Sequence, residues 1–359
     1  MSDATFMDQA LARARAALGR TAPNPSVGAV VVRDGVVLGV GQTQPVGGPH
    51  AEVEAVRNAH DNGYDDLSGA TMYVTLEPCC HWGRTPPCTD LIVKEGIARV
   101  VVGVVDPYPP MQGKGLARLR GAGVEVSLGV RQEEAAAVVR GFTRTITEGL
   151  PEVTLKVASS LDGHLATRSG ESQWITGQAA REDGHGLRAT HDAILVGVGT
   201  AIADDPRLTC RIPGGKDPVP VVLDTRLRLP LHARLLTAGA PAVILCAEDA
   251  PVRRLPADII RVPRAQDGQG VDVRAALRAL AGRGLHRILV EGGGQIHRSF
   301  LDSGLIDTLH VYVAGALLPG GQPWLGGPAI DRLADARRLP GPPEVRVLGE
   351  DVRLSWKTR

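Results

Sequence analysis

His50-Ala51-Glu52 and residues 71–88, TMYVTLEPCCHWGRTPPC, carry the densest chemistry in the chain. The second stretch opens as an apolar strand at residues 72–76 and stops at Glu77-Pro78, where proline cannot donate to a ladder. His50 follows Gly47, Gly48 and Pro49 and starts a helical pattern that runs to about His60 and closes at Gly63. Upstream, an opening helix stops at Gly19. A strand at residues 27–32, the pair Asp34-Gly35 and a strand at 36–40 then read as a β-hairpin. Downstream come a short helix at residues 89–95, the apolar run RVVVGVV, and a helix-strand pair passing through Lys114 and Val124. Helices alternating with about five strands predict a three-layer α/β/α domain.

The residue types at these positions are those of a metal site. One imidazole (His50) and two thiolates (Cys79 and Cys88) give zinc three ligands, and a fourth position open to water makes such a site catalytic. Zinc lowers the pKa of its water toward neutrality, so hydroxide becomes available at ordinary pH. Glu52, two residues beyond the imidazole, is placed to move protons between that water and a leaving nitrogen as a general acid/base. Cys80 is the alternative second sulfur, although adjacent thiolates reach one ion only with strain. Cys210 and Cys246, alone and far downstream, read as packing residues.

Composition narrows the partners. Forty basic and thirty-nine acidic residues leave a formal charge of +1, with no basic run suited to nucleic acid or a membrane surface. Three Phe, four Trp and four Tyr in 359 residues make aliphatic cores and few stacking platforms. A small-molecule substrate follows. With 44 glycines and 26 prolines, about a fifth of the chain against a usual ~12%, tight turns are frequent. An amphipathic N-terminal segment without an apolar signal stretch, and an odd set of clustered cysteines, predict a cytoplasmic protein.

At this length about two domains are expected. The helical pattern before Leu150-Pro151 ends there, and EVTLKVASS begins a new alternating unit, so the division is placed as residues 1–147 and 148–359. The second half alternates again. Strands are expected at 153–159, 193–196, 219–223, 242–246, 287–290 and 308–313, helices at 177–190, 273–281 and 295–303, and EVRVLG and DVRLSWK as a final antiparallel pair. The stretch ILVEGGGQIHRSF reads strand, Gly292-Gly293-Gly294, helix. It brings free backbone N–H groups and a helix N-terminus to one place, as a phosphate site needs.

His-x-Glu followed by Pro-Cys resembles the zinc-dependent cytidine-deaminase-like fold. The eight residues between Cys79 and Cys88 depart from that fold's short Cys-x-x-Cys spacing. With TAPNPSVGAVV upstream, the string LEPCCHWGRTPPC resembles instead the deaminase half of the bifunctional riboflavin-biosynthesis deaminase/reductases. LKVASSLDGHLA, GESQWITG, LRATHDAILVGVGTAIADDPRLTCR and VEGGGQI resemble the reductase half of that family, which has a dihydrofolate-reductase-like α/β fold. The resemblance implies zinc in the first domain and NADPH in the second. It implies deamination of a phosphoribosylated diaminopyrimidine, reduction of its ribosyl group to ribityl, and self-association as a dimer or tetramer.

Carried over by position, the resemblance assigns Ala158, Trp174, Thr200, Asp204 and Gly293, Gly294, Gln295, Ile296, His297, Arg298 and Ser299 to the cofactor. It assigns Asn24 to the pyrimidine in the first domain, and Ser172, Arg188, Leu208, Arg211 and Glu291 to substrate in the second. Lys156, on a strand facing the same region, is added to the substrate set. The forked guanidinium groups of Arg188 and Arg211 suit the 5′-phosphate. The competing readings are a zinc nucleotide or nucleic-acid deaminase with a non-catalytic second domain, and a zinc-stabilised binding protein. Glu52 beside an open three-ligand site argues against the last.

Overall fold

The computed structural model describes residues 2–83 and 86–359, which form two compact units, Met1–Gly149 and Leu150–Arg359. Residues 84 and 85, within the cysteine-loop insert, lie outside the described set.

Among the described residues, the first unit runs α1 (Asp3–Ala17), β1 (Gly28–Arg33), β2 (Val36–Gln42), α2 (Ala51–Asp61), β3 (Thr71–Leu76), α3 (Cys88–Lys94), β4 (Arg99–Val104), α4 (Lys114–Gly121), β5 (Glu125–Leu128) and α5 (Gln132–Glu148). Its sheet has the order β2-β1-β3-β4-β5. β1 is antiparallel to both neighbours, and the β3-β4 and β4-β5 pairs are parallel. The hairpin turns at Asp34 and Gly35, both with positive φ (53° and 77°), the left-handed pair an Asp-Gly hairpin uses.

Period-two alternation then sorts the side chains. Val30, Val32, Tyr73 and Val101 pack under α1 and α5, while Ala29, Val31, Met72, Val74, Val100 and Val102 pack under α2, α3 and α4. That is the three-layer α/β/α arrangement expected from the sequence.

α2 sits unusually close to β2. A Cβ on Gly41 would lie 2.2 Å from the Ala51 carbonyl oxygen and 2.4 Å from the Ala55 nitrogen, so only glycine lets the helix carrying Glu52 approach. Gly41→Val is expected to push α2 off the sheet at a cost of about 1–3 kcal/mol or more. It should lower the melting temperature and the activity of the first unit while that of the second is spared, as differential scanning fluorimetry and separate assays would show.

The second unit contains β6 (Glu152–Ser160), β7 (His164–Ala166), α6 (Gln178–Thr190), β8 (Ala193–Gly197), α7 (Val198–Asp204), β9 (Val219–Leu223), β10 (Val243–Ala247), β11 (Asp258–Val262), α8 (Val273–Gly282), β12 (Arg287–Gly292), α9 (Gly294–Ser303), β13 (Thr308–Ala314), β14 (Gln322–Pro323), β15 (Glu344–Leu348) and β16 (Asp351–Lys357). Its main sheet has the order β11-β10-β9-β8-β12-β6-β13-β16-β15. It is parallel from β11 to β13 and antiparallel through the final hairpin.

The central parallel strands are buried on both faces, which is why AILVG reads as an unbroken apolar run. Ala193, Leu195, Leu155 and Val290 join α8 and α9 in one core. Ile194, Val196, Val222 and Cys246 join α7 in another.

α7, β7, β11 and β14 have no counterpart in the sequence reading. α7 starts directly after β8 without a loop and contains Gly199, a poor helix former, while β14 is two residues long and pairs with β7. No helix among the described residues is long and apolar enough to cross a membrane.

Candidate functional site

The strand order gathers the candidate residues of the first unit. β1 starts, and β3 and β4 finish, at one end of the sheet: the Gly28 N–H donates to Thr75 Oγ1 at 3.1 Å, and the Glu77 N–H to the Val104 carbonyl at 2.9 Å. The loop bearing Asn24 leads into β1 at this end, where Thr43 N–H donates to the Val27 carbonyl (2.9 Å). Gln44 N–H then donates to the Pro49 carbonyl at 3.1 Å, so the chain returns beside it just before His50.

His50 caps α2 in an extended conformation, Cys79 follows β3, and Cys88 is the first residue of α3. The His50 Nδ1 lies 3.3 Å from the Cys88 sulfur and 3.6 Å from the Cys79 sulfur, and the three ligand atoms all lie within 4.8 Å of one another. Among the described residues this is the one such group, and Cys80 is not part of it.

The electrostatics suit a divalent soft ion. The Cys79 thiol is held down to about 4, chiefly by the hydrogen bond from the Cys88 thiol and then by His50, while the Cys88 N–H also points at its sulfur (3.3 Å). The Cys88 thiol is raised, by the bond it donates to Cys79 and by burial. Glu52 is 4 % exposed, and its burial, followed by the charge on Cys79, pushes the carboxyl up to about 7. Its carboxyl lies beside the Cys88 sulfur, which places it against the candidate ligand set.

A nitrogen and two sulfurs converging in this way fit one zinc ion with a position left open. Cys88→Ser is therefore expected to lose zinc and Cys80→Ser to retain it, measured as metal content per chain. The reverse pattern would reassign the ligand.

Glu77 is a residue to which the sequence reading attached no role. It is 3 % exposed, and its carboxylate accepts from four backbone N–H groups: Asp106 and Gly113 on Oε2 (3.1 and 3.0 Å), Gly115 and Leu116 on Oε1 (2.8 and 3.2 Å). It ties the loop after β4 and the start of α4 to the Pro78-Cys79 turn. A lone Glu before Pro-Cys is the only local trace of this, because all four partners lie 29 to 39 residues downstream.

In the second unit, β6 directs Lys156 and Ala158 away from the main core, toward α6. Glu291 of β12 and Arg188 of α6 form a largely buried, two-pronged pair: Arg188 Nε donates to Glu291 Oε1 at 2.9 Å and Nη2 to Oε2 at 2.7 Å, while Nη1 donates to the Thr209 carbonyl at 3.0 Å. The fork that the sequence assigns to a phosphate is thus taken up by Glu291. Arg211 is exposed. Burial lowers Lys156, which faces the charges of Glu291 and Arg188, and its ammonium lies 5.5 Å from the centroid of the Tyr312 ring.

The cofactor set is partly convergent. A Cβ on Gly293 would lie 2.8 Å from Thr200 Oγ1, and one on Gly197 would lie 2.6 Å from Ile296, so α7 meets the start of α9. Gly292 and Gly293 both have positive φ (144° and 89°) and form a side-chain-free cradle, with the buried His297 ring beside it. The cradle, which a Cβ on Gly293 would fill, fits a polar group of a bound cofactor.

Gln295 and Ser299 are exposed on α9, where Arg298 pairs with Asp302. Asp204 is exposed at the end of α7. Trp174 is 63 % exposed, stacked with the Arg181 guanidinium at 4.7 Å. Ser172 lies half-buried in the loop before α6. The Leu208 side chain is 3 % exposed and packs in the α7 core, which leaves its backbone as the part available to a ligand.

The chain matches the family model described as the RibD C-terminal domain over residues 151–345, and the cytidine and deoxycytidylate deaminase zinc-binding region over residues 1–104. It is 42% identical to the riboflavin biosynthesis protein RibD of Bacillus amyloliquefaciens, an alignment covering 98% of this chain and 95% of the relative. The chain belongs to the RibD family. Among solved RibD-family structures it is similar to the diaminohydroxyphosphoribosylaminopyrimidine deaminase/5-amino-6-(5-phosphoribosylamino)uracil reductase of Thermotoga maritima (TM-score 0.87, 35% identity, 99% of each chain). It is likewise similar to RibD of Acinetobacter baumannii (TM-score 0.88, 37% identity, 99% of each chain). As a RibD-family protein it has a zinc-dependent deaminase domain followed by an NADPH-dependent reductase domain.

Proposed function

We propose that His50, Cys79 and Cys88 hold the zinc of the deaminase and Glu52 moves its protons, while the face shared by β6, α6, β12 and the α7–α9 junction carries out the reduction. The chain is a bifunctional enzyme of riboflavin biosynthesis. Its substrate in this reading is the phosphoribosylated diaminopyrimidine named for the Thermotoga maritima relative. The ring amino group leaves as ammonia, a carbonyl oxygen from water takes its place, and the ribosyl group is then reduced to ribityl. When bound, zinc supplies an acidified water and NADPH the reducing equivalent.

Glu52 accepts a proton from the attacking water and returns one to the departing nitrogen. Asn24, at the same sheet end, orients the pyrimidine. In the second unit Lys156 and Arg211 meet the sugar phosphate, Glu291 fixes the Arg188 fork, and Ser172 and the Leu208 backbone complete the wall. Ala158, Trp174, Thr200, Asp204 and residues 293–299 take the cofactor. The enzyme acts on this small molecule in the cytosol as a dimer or tetramer, with no nucleic-acid or membrane partner.

The observation that carries the reading is the convergence of one imidazole and two thiols with the buried Glu52 carboxyl against them. Chelator treatment should stop ammonia release without NADPH present, and added zinc should restore it. Ammonia release that survives metal removal would overturn the assignment.

A further inference from the structure

Lys156 has a built seat. Tyr312 is 1 % exposed with its ring under the ammonium, and Gly184 of α6 stands over the side chain, a Cβ there being 3.7 Å from Lys156 Cε. The seat is locked on the same face of the sheet, from the edge formed by β16 and β15. Tyr312, Arg353 and Arg346 are direct cross-strand neighbours on β13, β16 and β15, a row that puts two guanidinium groups side by side. All three converge on the carboxylate of Asp183: the Tyr312 hydroxyl donates to Oδ2 at 2.6 Å, Arg353 Nη1 to Oδ2 at 2.7 Å and Arg346 Nη1 to Oδ1 at 3.2 Å. The same hairpin grips α6 at its start, where the buried Asp351 accepts the Gly177 N–H at 2.7 Å. Arg346, Asp351 and Arg353 lie beyond residue 345, where the match to the RibD C-terminal domain ends.

Asp183 immediately precedes Gly184 and lies five residues before Arg188, so the height of α6 over β6 and β12 decides how Gly184 meets Lys156 and how Arg188 meets Glu291. We infer that the C-terminal hairpin is a positioning element of the reductase. Asp183 and Tyr312 act through Lys156 to set how substrate is held. Neither residue touches the reacting atoms. The inference rests on the reading of this unit as the reductase, and the deaminase of the same chain is an internal control.

The test is steady-state kinetics of full-length Asp183→Asn, Tyr312→Phe and Arg346→Ala, with both reactions assayed. Asp183→Asn is expected to raise the KM for the pyrimidine substrate of reduction about tenfold or more, because small displacements of a positioning group cost large factors. The KM for NADPH and the rate of ammonia release should stay within about twofold of wild type. Tyr312→Phe, which keeps the ring under Lys156, and Arg346→Ala should each raise the substrate KM by about two- to fivefold.

If Asp183→Asn does not fold, those two milder variants decide the matter. Variants that melt at a lower temperature but keep the wild-type substrate KM would show a purely structural hairpin and overturn the inference. Wild-type protein that consumes no NADPH would instead overturn the reductase reading on which it rests.

Discussion

Glu52→Gln is expected to lower ammonia release by about 10²–10⁴-fold, the usual contribution of a positioned proton-transfer group, while zinc content and NADPH-dependent reduction are unchanged. The amide has nearly the shape of the carboxyl but cannot take a proton from water or hand one to the leaving nitrogen. Burial, and then the charge on Cys79, raises the Glu52 carboxyl from an ordinary 4.5 to about 7, so a neutral amide of nearly the same shape suits the same buried position. The melting temperature of the variant, measured beside the assay, separates loss of chemistry from loss of fold. A Glu52→Gln protein that deaminates at the normal rate would remove Glu52 from the mechanism.

Glu291→Ala should have the largest effect in the second unit. It strands Arg188, whose side chain is 16% exposed, and removes a charge facing Lys156. Breaking a buried pair by deleting one partner costs about 3–5 kcal/mol, since the remaining charge stays desolvated. For a domain of this size that corresponds to a melting shift of order 10 °C, with reduction lost and ammonia release retained.

The pair also sets a pH signature. Burial alone would raise the Glu291 carboxyl, but the charge and hydrogen bonds of Arg188 prevail and hold it at about 2. A depressed carboxyl contributes its full stability above about 4.5 and loses it as pH falls toward 2. This part of acid unfolding should therefore be absent from Glu291→Ala. A variant with the wild-type melting temperature and full reductase rate would contradict the role given to the pair.

What could be read before any coordinates were known follows from how local each signal is. The Asp34-Gly35 hairpin, the apolar runs of β3, β4 and β8, and the helix opening at His50 each rest on neighbours within a turn or two, and the α/β layering follows from their alternation. The candidate metal group was legible because few residue types bind such an ion, and His50, Cys79 and Cys88 stand at the ends of recognisable elements.

Long-range partnerships left no such trace. The Arg188 fork reads as a phosphate clamp until Glu291, 103 residues away, is seen to occupy it. Glu77 and Asp183 look like ordinary surface acids until their buried partners on later elements are in view. α7, with a glycine in its first turn and β8 directly before it, has a pattern too short to separate from the strand.

The most direct measurement of the whole account is to incubate the purified chain with the diaminopyrimidine ribotide, with and without NADPH, and follow ammonia and NADPH absorbance together. The account predicts ammonia release in both cases and, with NADPH, consumption of one cofactor for each ammonia released once the reaction is complete. Ammonia without any NADPH consumption, or neither, would contradict it.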